Sequence, residues 1–257
     1  MSYQWKSGEG IADGFRRIAV EELTDALDGL SDPTVLGVEA TVHGARKHCK
    51  KVRGLARLGR PGLAKAVFRA GNPGTRDAAA ELSSFRDAHA LLATFDRLLV
   101  APAGELERHD LAVVRDELAR RADEASSAVA TGGDKVEAAR VGLEAVRELV
   151  VDCDVEDDLD VLLEGARTTY ERGRDAMRQA AKAEHDEDLH EWRKREKDLW
   201  YATRLVTPSA PAVLGAQAKL LHVLSEDLGD DHDLAVLTDL VGVDPEIQRR
   251  PLGDPGH

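Results

Sequence analysis

Val42-His43-Gly44-Ala45-Arg46-Lys47-His48-Cys49-Lys50-Lys51-Val52-Arg53-Gly54-Leu55-Ala56-Arg57-Leu58 is the stretch that decides the fold of this 257-residue chain. Placed on a helix at about 100° per residue, His43, Arg46, Lys50, Arg53 and Arg57 fall within an arc of about 80°. Lys47 and Lys51 flank that arc. Val42, Ala45, Cys49, Val52 and Ala56 form a separate apolar arc roughly a quarter turn away. The pattern therefore predicts a helix that buries one side and presents a cationic ridge about 21 Å long beside it.

The ridge is not a composition effect. The chain carries a formal charge of −13, yet between Glu39 and Asp77 ten Lys and Arg residues run with no Asp or Glu among them. Like charges at i,i+4, such as Arg46/Lys50 and Arg53/Arg57, repel by about 0.2–0.5 kcal/mol per pair. An external anion would relieve them. A sorted basic face on an acidic protein points to a polyanion site with a repelling surround.

The helical period extends outward from this stretch. Ile11 to Leu30 reads as one helix, with Ile11, Phe15, Ile18, Ala19 and Leu23 as its stripe. Asp32-Pro33 reads as an N-cap and first helical position, opening the basic helix that runs to about Leu58. A short helix is predicted over 62–70, with Gly71-Asn72-Pro73-Gly74 as a break. Further helices follow at about 75–100, 105–131, 134–151, 156–184, 186–206, 210–228 and 231–241. The Pro- and Gly-rich stretch 244–257 reads as a flexible tail that frays. No strand-like alternation is present, and the class is all-α.

The basic motif recurs. Val42-His43-Gly44-Ala45-Arg46-Lys47 is echoed by Leu189-His190-Glu191-Trp192-Arg193-Lys194, and the same offset matches Lys50 with Lys197 and Arg57 with Arg204. Leu82 to Asp87 then pairs with Leu228 to Asp233 at nearly that offset. Two ordered matches predict two related helical halves, 1–130 and 131–243, packed together. Leu189, Trp192 and Leu199 are expected to continue the buried arc in the second copy. Its ridge is diluted by Glu191, Glu196 and Asp198, and Trp200 stands where the first copy has Arg53. With approximate two-fold symmetry the two ridges would face each other across one groove.

At these residues the chain resembles the CHAD family, the conserved histidine α-helical domains. Val42-His43 through Arg46, Lys50, Lys51 and Arg53 resembles the family's first motif. Leu189-His190 through Arg193, Lys194, Lys197, Leu199 and Tyr201 resembles the second. Arg86-Asp87, Leu228-Gly229 with His232-Asp233, and Tyr170 with Arg172-Gly173-Arg174 also fit. The resemblance implies two four-helix-type bundles related by a pseudo-two-fold around a basic central groove. It also implies binding of inorganic polyphosphate, with association with polyphosphate granules in some members. This copy departs from the pattern at Asp198 and Trp200, where basic residues are usual. Many relatives carry an N-terminal triphosphate-processing barrel, and no such module is read in this sequence.

The candidate polyphosphate-binding set is His43, Arg46, Lys47, Lys50, Lys51, Arg53, Arg57, Arg172, Arg174, His190, Arg193, Lys194, Lys197 and Arg204. The two motif histidines have two readings: phosphate donors that charge below neutral pH, or interhelical hydrogen-bond partners that fix the ridge. Asp87 and Asp233 read as carboxylates that orient a neighbouring arginine or cap a helix. A catalytic use with a divalent metal is the alternative.

Neither a phosphate-loop glycine pattern nor a Ser/His/Asp constellation is present, and the histidine spacings suit no metal motif. No catalytic residue, cofactor or metal is therefore expected. A scaffold for an acidic protein segment or single-stranded nucleic acid is the other alternative. Single-strand binders offer stacking aromatics, and only Trp200 and Tyr201 lie near a ridge. Overall acidity argues against duplex DNA binding, and sequence-specific nucleic acid is not expected. The sequence shows no apolar leader and no stretch of about 18 uncharged apolar residues, so no membrane span is expected. Cys49 and Cys153 lack motif spacing, which leaves a reduced, cytoplasmic setting as the default.

Overall fold

Hydrophobic periodicity converts directly into helices. The computed structural model describes residues 3–32, 37–100, 108–131, 133–183 and 185–243. Among those residues the chain forms α1 (Ile11–Ser31), α2 (Val38–Leu58), α3 (Lys65–Glu81), α4 (Ser83–Val100), α5 (Arg108–Ala130), α6 (Asp134–Val151), α7 (Leu159–Ala183), α8 (Asp186–Val206) and α9 (Pro211–Val243), and no strand. Short 3₁₀ turns at Arg60–Gly62 and Thr207–Ser209 follow α2 and α8. The expected tail 244–257, and Pro33 of the expected N-cap, lie outside the described residues. The described part of the basic helix starts at Val38, after Gly37 in the left-handed region at φ 82°.

On the first two helices the predicted arcs are buried, except that Ile11 is half-buried. Phe15, Ile18, Ala19 and Leu23 of α1 meet Val42, Ala45, Cys49 and Val52 of α2, each no more than 5% exposed. Burial of each large apolar side chain contributes about 1.5–3 kcal/mol. α1 and α2 pack on each other, α3 packs on α6, and α6 closes back on α1. Leu162 of α7 and Tyr201 and Leu205 of α8 join the same core. A smaller cluster of Phe95, Leu118 and Leu237 ties α4, α5 and α9 together. α8 is flanked by α7 and α9 and also touches α2, which brings the two motif helices into contact.

Three expectations change. Gly71 to Gly74 does not break the chain: α3 runs through Pro73 to Glu81, and the break falls at buried Leu82. Packing outweighs the local signal. Gly71 is buried, and a Cβ at Gly74 would meet Val146 Cγ2 of α6 at 2.9 Å, so the glycines let α3 and α6 approach. Thr75 Oγ1 donates to the Gly71 carbonyl at 2.7 Å, next to the bond that Pro73 cannot make. The expected helices 210–228 and 231–241 are one helix, α9, because Gly229 is buried against α8 rather than turning.

The buried face of α8 also differs from expectation. Leu189, Trp192 and Leu199 are half-buried, while Glu196 and Asp198 are buried beside Tyr201, Ala202 and Leu205. Asp198 is accommodated because α2 supplies a cation to it.

Before α1, residues 3–10 form a strap over the junction of α2 and α8. The Tyr3 hydroxyl donates to the Lys51 carbonyl at 2.7 Å, and the Trp5 backbone N–H donates to the Leu205 carbonyl at 3.4 Å.

Candidate functional site

The cationic face of α2 opens into a cavity of about 550 Å³ walled by α2, α4, α8 and α9. From α2 come His43, Arg46, Lys47 and Lys50, and from α8 come Arg193 and Lys197. Seven Lys and Arg residues and four carboxylates line it, the reverse of the chain's balance of 35 basic to 48 acidic residues. Part of each expected ridge meets here: His43, Arg46 and Lys50 of the first and Arg193 and Lys197 of the second line the cavity, while Arg53, Arg57, His190, Lys194 and Arg204 do not.

Lys50 shows the convergence most directly. Its ammonium keeps solvent contact but stands in a recess between helices. Burial, followed by the charges of Arg46, Arg193, Lys197 and Arg86, pushes it down to about 8. Cations of three helices thus crowd a single point. Among the described residues, Lys47, Lys50, Arg86 and Arg193 form no ion pair. The Nε of Arg193 is buried without a hydrogen-bond partner, and Gly229 leaves room for that guanidinium: a Cβ there would meet Arg193 Nη2 at 3.0 Å. Unpaired cations in a concave site supply charge-assisted donors for an anion.

Other members of the candidate set are engaged within the fold. Lys51 Nζ sits 2.9 and 2.8 Å from the two carboxylate oxygens of Glu22 on α1, under buried surroundings. Arg57 pairs with Asp198 across the α2–α8 contact. Arg53 Nε donates to Asn72 Oδ1 at 3.4 Å, and Arg46 Nη1 donates to the Ala79 carbonyl at 2.5 Å while still facing the cavity. Arg204 stacks its guanidinium 4.9 Å from the Trp200 ring centroid and 5.5 Å from that of Tyr3. Lys194 lies 3.5 Å from Glu191, and Arg174 lies 3.5 Å from Asp175. Arg172 is exposed on α7, close enough to Arg57 to depress it. None of these except Arg46 lines the cavity.

The motif histidines have different surroundings. His43 lines the cavity, and burial with Arg86, Lys50 and Lys47 holds it below the ordinary imidazole range. His190 lies outside the lining and packs on His232 at 3.9 Å between centroids. Burial, then His232, Lys194 and Arg193, push His190 down to about 4, and its Nδ1 is buried without a partner. Arg86 and His232 correspond in the Leu82–Asp87 and Leu228–Asp233 match, so each motif histidine lies near the corresponding member of that pair.

Sequence reasoning left Arg86 and Arg97 of α4 out of the site. Arg86 stood in a quoted motif, and its match to His232 was the available signal. Arg97 had none. Asp233 lines the cavity beside His232, and Asp87 is exposed near Arg46. Among the described residues no three His, Cys, Asp or Glu side chains gather as a metal site, and no helix is long and apolar enough to cross a membrane.

The family model of the CHAD domain matches residues 18–242. The chain belongs to the CHAD domain family. Two solved structures share the fold. The crystal structure of the CHAD domain from the plant Ricinus communis is 17% identical, with a TM-score of 0.63 over 96% of this chain and 86% of that one. PptA from Streptomyces chartreusis is 16% identical, with a TM-score of 0.57 over 94% of this chain and 99% of that one. At these identities the likeness is one of fold. No curated protein matches the chain. In this CHAD domain the strap at 3–10 precedes the matched segment, yet it is built into the contact between the two motif helices.

Proposed function

We propose that this CHAD domain binds inorganic polyphosphate in the groove between α2, α4, α8 and α9, as a binding module rather than an enzyme. The observation that carries the reading is the cluster around Lys50: Arg46, Arg86 and Arg193 converge there with few internal counter-charges. Rigid helices hold these donors, so a chain of phosphates gains successive contacts without a new translational cost. An inorganic chain fits better than a single-stranded nucleic acid, because Trp200 is already engaged by His222, stacked at 4.7 Å, and by Lys197 and Arg204. Binding of this kind would bring the protein onto polyphosphate granules in the cytoplasm.

Titration calorimetry with orthophosphate, triphosphate and chains of about a hundred phosphates tests the reading at matched phosphate concentration. Affinity per chain should climb with length and fall steeply as salt rises, because the contacts are electrostatic and open to water. Equal affinity for all three ligands, or indifference to salt, would refute an extended cationic site. Phosphate release from polyphosphate by the pure protein with a divalent metal would instead establish an enzyme.

A further inference from the structure

α9 lays carboxylates into the cationic groove. Glu226, Asp230 and Asp233 stand at i, i+4 and i+7, on one face of the helix, and all three line the cavity. Two of them hold groove cations that arrive from other helices. Glu226 Oε1 lies 2.8 Å from Lys197 Nζ of α8, and Asp230 Oδ1 lies 2.6 Å from Arg97 Nη1 of α4. Both carboxylates are well exposed, at 62% and 59% of their side-chain surface. The cations on the remaining wall, Lys47, Lys50, Arg86 and Arg193, have no such partner.

We infer that the groove has two sectors: an open one around Lys47, Lys50, Arg86 and Arg193 that takes any short phosphate, and a latched one in which Glu226 and Asp230 occupy Lys197 and Arg97 until a long chain displaces them. The inference rests on the polyphosphate reading and adds to it the residues that set chain-length preference. The physical basis is competition. A triphosphate satisfies itself on the unpaired cations and leaves the internal pairs closed. A long chain runs on to Lys197 and Arg97, where it must break two pairs that are exposed and individually weak. Displacement is therefore feasible but subtracts from the gain of length. The latch holds down long-chain affinity and keeps that binding reversible.

The double variant Glu226→Gln, Asp230→Asn removes both carboxylates with little change of shape. Its affinity for chains of about a hundred phosphates should rise about fivefold or more at low salt, while triphosphate affinity stays within about twofold of wild type. Asp160→Asn, Glu164→Gln makes the same charge change on exposed positions of α7 and should leave both affinities within about twofold. An equal rise for triphosphate, an equal rise in the α7 control, or no rise for long chains would overturn the latch. Wild-type protein that bound no polyphosphate would sink the polyphosphate reading separately. The latch would then be judged by whether the double variant gains affinity for heparin, another extended polyanion, over triphosphate; no such gain would end it too.

Discussion

Arg57 of α2 and Asp198 of α8 form an ion pair across the contact of the two motif helices, with only 17% and 11% of their side chains exposed. Burial raises the Asp198 carboxyl despite Arg57, Arg195 and Arg53, and burial also lowers Arg57. The departure that made the second ridge look weak is thus the partner of a cation on the first. Without Arg57, buried Asp198 keeps only the longer 3.4 Å contact with Arg195 of its own helix. Removing one member of a buried pair costs about 3–5 kcal/mol, whereas replacing both with apolar groups is often neutral. Arg57→Met alone should therefore lower the melting temperature markedly. Arg57→Met with Asp198→Leu should recover most of it. Additive losses in denaturant unfolding would show that the pair is not coupled.

Lys50 and Lys51 are adjacent in sequence and separate in role. Lys50 faces the groove without an ion pair, while Lys51 is bound to Glu22, itself 4% exposed and shared with His48 at 2.6 Å. Lys50→Ala should weaken long-chain polyphosphate binding about fivefold to tenfold and leave the melting temperature unchanged or slightly raised, since it relieves crowding. Lys51→Met should do the reverse, costing about 2–4 kcal/mol of stability with a minor change in affinity. Calorimetric titration beside thermal unfolding separates the two. Matching effects from both substitutions would contradict the division of the ridge.

The depressed Lys50 gives the site a pH dependence in the alkaline range. Its ordinary value of 10.5 falls to about 8 in the folded protein, so it is largely charged at pH 7 and largely neutral at pH 9. A polyanion favours the charged form, so affinity should fall as pH rises through about 8, with proton uptake on binding. The free protein should respond oppositely. Between pH 8 and 10.5 the unfolded chain holds the proton and the folded chain does not, so this group makes stability rise with pH there. Lys50→Arg keeps a cation that does not titrate and should flatten the affinity profile between pH 7 and 9. An identical profile in wild type and variant would assign the titration elsewhere.

The structure bears out what local periodicity can carry and departs where partners come from distant sequence. The all-α class and the buried arc of Val42, Ala45, Cys49 and Val52 follow from spacing alone. So do the positions of His43, Arg46 and Lys50 on one face, with Lys47 flanking it. Which cations are spent inside the fold does not follow, because Glu22 lies 29 residues before Lys51 and Asp198 lies 141 residues after Arg57. Helix spacing says which way a side chain points, not what stands opposite. Pro73 and Gly229 misled for a related reason. Their local propensity is that of a break, and contacts with α6 and α8 overrule it.

Tyr3 lies ahead of the matched CHAD segment yet joins the contact between its two motif helices. Its ring is 5% exposed and meets Tyr201 edge-on at 6.0 Å. Lys51 Nζ and the Arg204 guanidinium lie 5.4 and 5.5 Å from its centroid, and its hydroxyl donates to the Lys51 carbonyl. One side chain thus contacts both motif helices where they meet. Tyr3→Phe removes the hydrogen bond and keeps the packing, which should cost about 1 kcal/mol. Tyr3→Ala removes the ring as well and should cost about 3–5 kcal/mol. Polyphosphate affinity, measured well below the melting transition, should stay within about twofold for Tyr3→Phe. It should drop about threefold for Tyr3→Ala, because Arg204 and the α2–α8 contact lose a shared surface. If Tyr3→Phe were as unstable as Tyr3→Ala, the hydroxyl alone would hold the strap. If neither variant shifted the melting temperature, the strap would not belong to the core, and the α2–α8 spacing would be set by Arg57–Asp198 and the apolar contacts around Leu205.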